Sequence, residues 1–188
     1  MIVLIGPLPT GPFFPIMPMK NFDLSHLTGL IIEKNQPMRA MLRGILRELG
    51  IKKICDASSP EAGFESFNND EPDFVLVDWS PDFDGIGLLN RIRTDPESHN
   101  PFVPVIMVTA HSEAERVIEA RDAGMTEYLS KPISAIRLYQ RISAIVESKR
   151  PFIRVSEFFG PDRRRKTVGI MDNDRRESTP VSDEETDQ

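Results

Sequence analysis

Short apolar runs, each bounded by turn residues, recur through the middle of the chain. Three of them end on a polar side chain suited to phosphoryl chemistry. Phe74-Val75-Leu76-Val77 ends at Asp78, Val105-Ile106-Met107-Val108 at Thr109, and Tyr128-Leu129-Ser130 at Lys131. A continuous apolar run offers no polar face to water, so it reads as a strand covered on both sides, as in a parallel sheet. Each run is followed by a segment of helical period. Side chains at the carboxyl ends of parallel strands converge on one edge, where open α/β sheets bind their ligands. The pattern therefore predicts a carboxylate, a hydroxyl and an ammonium at one spot, with the carboxylate within reach of solvent.

The rest of the pattern alternates in the same way from Ser25 to about Ser148. Leu30-Ile31-Ile32 is the first strand. Asn35 caps a helix with Pro37 in its first turn, Met38, Leu42, Ile45 and Leu49 share one face, and Gly50 stops it. A second strand is expected over Ile51 to Cys55, then a capping box of Ser58 with Glu61 before a helix whose inner face is Phe64 and Phe67. Gly85 opens a helix carrying Ile86, Leu88, Leu89 and Ile92. Ser112 with Glu115 is a second capping-box candidate, for a helix closed by Gly124. Ile136, Tyr139, Ile142 and Val146 pattern the last helix. Five successive βα units predict a parallel sheet with helices on both faces and right-handed crossovers.

Composition narrows the options. A chain of 188 residues holds one well-packed domain plus appendages. A net charge of -6 gives no electrostatic footprint for nucleic acid. Cys55 is the single cysteine, so no internal disulfide forms, in keeping with a reducing, cytoplasmic location. No apolar stretch is long enough to span a bilayer. Residues 1–24, rich in proline and lacking an early basic residue, read as a disordered leader or a misassigned start, with Met17 or Met19 as the true initiator. Residues 25–148 form the domain. Residues 149–188 read as a mostly disordered tail, basic early and acidic at its end, with a solvated linker through Arg150-Pro151-Phe152-Ile153-Arg154 and Phe158-Phe159-Gly160-Pro161.

The constellation resembles the receiver domain of two-component response regulators, over roughly Leu27 to Ser148. The matching pieces, in order, are an acidic corner after the first strand, Asp78, Asp84-Gly85, Thr109-Ala110, and Tyr128-Leu129-Ser130-Lys131-Pro132. The resemblance implies a flavodoxin-like, doubly wound five-stranded sheet in the order 2-1-3-4-5. It also implies that Asp78 accepts a phosphoryl group from a histidine kinase or a histidine phosphotransfer protein. Thr109, Ala110 and Lys131 would bind that group, Thr109 and Tyr128 would form a switch, and the Lys131–Pro132 bond would be cis. The plain alternatives are a loop aspartate, a surface lysine, a β-branched filler and a half-buried strand aromatic.

Two departures concern the metal. Members of the family carry an acidic pair after the first strand and bind Mg²⁺, with Glu33, Asp78 and the carbonyl of Ser80 as the positions expected to hold it here. This chain has Glu33-Lys34. An ammonium donates no lone pair and repels a cation; two unit charges about 4 Å apart at an effective dielectric near 20 interact by about 4 kcal/mol. The loop from Asp78 to Gly85 is also one residue shorter than usual. Metal affinity is therefore expected to fall. Lys34 is expected either to act as a built-in cation paired with Asp78 or to lock Asp78 in a permanent salt bridge.

The leading expectation is a phosphorelay receiver without enzymatic or DNA-binding output, signalling through its fourth helix, fifth strand and fifth helix to a downstream protein, with a homodimer left open. The competing expectation is a phosphorylation-independent adaptor. A flavodoxin-like cofactor binder is disfavoured, because nothing in the sequence favours a flavin over the acid, threonine and lysine set.

Overall fold

The computed structural model describes residues 22–110, 114–147, 152–155 and 158–161. Five strands, β1 (Thr28–Ile32), β2 (Lys53–Ala57), β3 (Phe74–Asp78), β4 (Val105–Thr109) and β5 (Glu127–Ser130), alternate with α1 (Gln36–Glu48), α2 (Pro60–Asp70), α3 (Gly85–Thr94), α4 (Ala114–Asp122) and α5 (Ala135–Glu147). All neighbouring strands are parallel, in the order β2-β1-β3-β4-β5. This is the expected doubly wound sheet.

The period of two along each central strand explains the two layers. Leu30, Ile32, Val75, Val77, Val105 and Met107 join a cluster with Phe64 and Phe67 of α2 and Leu88, Leu89 and Ile92 of α3. Ile31, Phe74, Leu76, Ile106 and Val108 face the opposite way, onto Leu42 and Leu46 of α1 and Leu138 and Ile142 of α5. Both faces of β3 and β4 are covered, which is why every residue of these strands is buried. Polar side chains are consequently pushed to the strand ends, where Asp78 and Thr109 stand.

Helix ends follow local chemistry. The Asn35 side chain accepts the Met38 amide at 2.9 Å, and Gly50 beyond α1 takes φ +91°, a left-handed conformation cheap only for glycine. α2 is capped by Ser59, which accepts the Ala62 amide, rather than by Ser58; of the two adjacent hydroxyls, only Ser59 immediately precedes the first helical residue, Pro60. The second strand starts at Lys53, not Ile51. Ile51 instead closes α1, its amide donating to the Leu46 carbonyl at 3.0 Å while its side chain is buried. In α5, Ile142 is buried and Tyr139 and Val146 pack against the core as expected, whereas Ile136 is 60 % exposed and Leu138 takes the inner position in that turn. His111 and the cap proposed at Ser112 lie outside the described residues.

Two segments depart from the expected boundaries. Leu24, assigned by sequence to the leader, is fully buried beside α1 and α5, and the Phe22 amide donates to the Tyr139 hydroxyl. Within the stretch read as a solvated linker, β6 (Phe152–Val155) and β7 (Phe158–Pro161) pair antiparallel, with Ile153 opposite Gly160. Phe152, Ile153, Val155, Phe158 and Phe159 are residue types of high strand propensity, which the surrounding charge obscured.

Candidate functional site

Asp78 ends β3 and Thr109 ends β4, two strands in direct register, with the Trp79 amide donating to the Val108 carbonyl at 2.9 Å. Lys131 follows β5, and its amide donates to the Thr109 carbonyl at 2.8 Å. The Lys131–Pro132 peptide bond is cis, as the resemblance implied. From there the Lys131 ammonium donates to Asp78 Oδ1 at 2.6 Å and to Glu33 Oε2 at 3.0 Å. Carboxylate and ammonium therefore meet at the strand ends as the pattern required, with the threonine on the strand between them. Burial alone would lower the Lys131 pKa, but hydrogen bonds to Asp78 and Glu33 outweigh it and raise it above the ordinary lysine value. Lys131 is thus a fixed cation at neutral pH.

The Asp78 side chain is only 5 % exposed, more buried than the expectation of ready solvent access, because β3 is covered on both faces up to its last residue; access depends on the residues around its rim. Ser80 Oγ lies 3.2 Å from Asp78 Oδ2 and 3.0 Å from Asp82 Oδ1, and its single proton serves one or the other. Asp82 Oδ2 in turn accepts from the Lys34 ammonium at 2.8 Å. Lys34 and Asp82 are 61 % and 68 % exposed. Their hydrogen bond raises the pKa of Lys34 and is the first cause lowering that of Asp82.

This corrects the partner expected for Lys34. It neither pairs with Asp78 nor locks it; Lys131 occupies that place, and Lys34 reaches across to Asp82 instead. A side chain leaving the end of β1 on the solvent side meets the β3–α3 loop before it meets the buried acid. Together Glu33, Lys131, Asp78, Ser80, Asp82 and Lys34 form a chain of polar contacts, joined end to end only by the Glu33–Lys34 backbone, linking the loops after β1, β3 and β5.

The donor set around Asp78 has Lys34, not a second acid, at the corner after β1. Glu33 Oε1 accepts the Asn35 amide at 2.9 Å, so both of its oxygens, and both of Asp78, already face donors within the chain. Among the described residues there is no group of three or more acids, histidines or cysteines placed to hold a metal ion. A hard cation would have to displace Lys131 from the two acids and tolerate Lys34 nearby.

The remaining residues fall as follows. Thr109 is fully buried, whereas Ala110 just beyond it is exposed. Tyr128 is half-buried, packs against the cluster containing Trp79 and Leu88, and has its phenol pKa pushed up by burial. Two residues, Asp82 and Arg39, and one contact of Gly85 were missed by sequence reasoning. Asp82 carries no local signal, since only the fold brings it opposite Lys34. Arg39 Nη1 donates to the Glu33 and Lys34 carbonyls at 2.7 and 2.9 Å while Nε donates to Asp56, fixing the acidic corner from α1. Gly85 is required by close approach, because a Cβ there would collide with the Asp78 carbonyl. Its place at the start of α3 was legible, but not that contact.

A family profile described as response regulator receiver domain matches residues 30–143. The chemotaxis protein CheY-3 of Vibrio cholerae is 34% identical over 119 residues, covering 63% of this chain and 90% of its own length. The chemotaxis protein CheY of Pseudomonas aeruginosa is 33% identical over 119 residues, covering 63% of this chain and 94% of its own. Among solved structures, a candidate response regulator from Chloroflexus aurantiacus superposes with a TM-score of 0.58 at 28% identity, over 65% of this chain and 98% of that one. The receiver domain of the histidine kinase CKI1 from Arabidopsis thaliana, complexed with Mg²⁺ and BeF₃⁻, gives a TM-score of 0.58 at 22% identity, over 66% of this chain and 93% of that one, and so shares the fold. With the strand order, the buried acid and the bridging lysine in place, the chain belongs to the response regulator receiver domain family.

Proposed function

We propose that this receiver accepts a phosphoryl group on Asp78 from a histidine kinase or a histidine phosphotransfer protein and signals through protein contacts. The observation that carries the reading is the Lys131–Asp78 contact of 2.6 Å at the carboxyl edge of the sheet. In the transfer, an Asp78 carboxylate oxygen forms a bond to phosphorus as the donor's P–N bond breaks. The electron pair of that bond stays on the donor imidazole, which leaves neutral when its other nitrogen is already protonated. Lys131 neutralises a phosphoryl oxygen at the cost of its bond to Asp78.

The chain is not proposed as an enzyme, and it acts in the cytoplasm. Output falls on α4, β5 and α5, where Ile118 and Ile136 are exposed and Tyr128 lies half-buried on the strand between the two helices. One observation favours the adaptor reading: both oxygens of Glu33 and one of Asp78 accept from donors within the chain, and the other Asp78 oxygen shares the Ser80 hydroxyl with Asp82.

Incubation with acetyl phosphate and with phosphoramidate, followed by intact-mass measurement, tests the choice. One added phosphoryl mass, absent from Asp78→Asn, is expected. No adduct with either donor would refute the acceptor reading and leave the adaptor.

A further inference from the structure

We infer that the Lys34–Asp82 pair is this receiver's resident substitute for a divalent cation, so that phosphoryl transfer to Asp78 proceeds without Mg²⁺. The inference rests on Asp78 being the acceptor. It starts from the polar chain around Asp78, in which the ammonium groups of Lys131 and Lys34 are the cations that meet the carboxylates of Glu33, Asp78 and Asp82 among the described residues.

Transfer leaves Asp78 as a mixed anhydride whose phosphoryl oxygens carry about one more negative charge than the free carboxylate did. That charge has to be met inside a site already short of cations. Lys131 supplies one ammonium. The second is Lys34, whose partner Asp82 is exposed and linked through Ser80 to Asp78 itself. An exposed pair is worth little, about 0–1 kcal/mol, so trading Asp82 for a doubly charged phosphoryl group costs little. Lys34 therefore changes partner, from Asp82 at rest to a phosphoryl oxygen after transfer. Asp82 is a positioning residue that parks the ammonium at the rim, and its release frees the β3–α3 loop.

Two measurements on the full chain test this. Trp79 adjoins Asp78 and is the only tryptophan, so its fluorescence reports on the site. Titration with MgCl₂ to tens of millimolar should leave wild type without a saturable change, whereas Lys34→Asp should gain one. In parallel, acetyl phosphate labelling is followed by intact mass in Mg²⁺ and in excess EDTA. Wild type should label equally in both. Lys34→Ala should label at least ten-fold more slowly in EDTA, and Lys34→Asp should label only with Mg²⁺. Lys34 is exposed, and circular dichroism of each variant is the check that it is folded.

A saturable Mg²⁺ response of wild type, or labelling of wild type only in Mg²⁺, overturns the inference while the acceptor reading stands. Undiminished labelling of Lys34→Ala in EDTA overturns it too. Absence of any adduct under both conditions sinks the acceptor reading and takes this inference with it.

Discussion

Lys131 stands between two acids that would otherwise repel each other, and its own titration follows from that place. Its pKa is raised in the folded protein, so the stability it contributes is fully present below the unfolded value of about 10.4 and is lost as pH rises through the folded one. Lys131→Met should lower stability near neutral pH by about 2–3 kcal/mol, less than for a fully buried pair because the lysine is partly exposed. Thermal melts across pH should show the gap to wild type closing only in strong alkali. Asp82 behaves oppositely: its lowered pKa makes the Lys34 contact favourable above about pH 3.9 and lost on acidification below that. Cys55 is a third case. Burial, with a smaller contribution from a hydrogen bond to Asp70, raises its thiol pKa. Alkylation by iodoacetamide at pH 8 should run slower than for a free thiol, and Asp70→Asn should speed it. At residue 85 any side chain presses on the Asp78 carbonyl, so Gly85→Ala should reduce phosphoryl acceptance even where the protein folds.

At the scale of elements, the strands were the most legible part, because runs such as Val105–Val108 have only one use in a sheet covered on both faces. Helix ends were legible where a side chain sits directly on the cap, as at Asn35. They slipped by a residue where two hydroxyls compete, as at Ser58 and Ser59. The inner face of α5 was legible at Tyr139, Ile142 and Val146 but not at its first turn, where Ile136 matches the period yet faces solvent and Leu138 is buried. Arg93 could not have been found from sequence at all. It is fully buried at the end of α3 and donates to the Gly124 and Pro101 carbonyls at 3.1 and 2.8 Å, joining α3 to the turn before β5 and the loop before β4. Burial pulls its pKa down to about 9, which still leaves it charged at neutral pH. Arg93→Ala should cost about 2–3 kcal/mol through the carbonyls it abandons, read by urea unfolding. Phe67→Ala, which empties the centre of the α2 layer, should cost about 3–5 kcal/mol.

Over the whole molecule, none of the described helices is long and apolar enough to cross a membrane. The candidate site was half legible. Asp78, Thr109 and Lys131 announced themselves by ending apolar runs, while Lys34 gave its charge but not its partner. Partnership across loops is a property of the strand order. That order has one more consequence. β5 and β3 are separated by β4, two spacings of about 4.8 Å, so the bridge from residue 131 to residue 78 must span nearly 10 Å above an intervening strand end. Only a long, thin, unbranched arm carrying a compact charge covers such a gap and still touches two acids, so arginine, with its broad flat head, is a poor replacement there. Whatever terminates β4 must also stay low enough not to block the crossing, which limits position 109 to small residues quite apart from any hydroxyl chemistry.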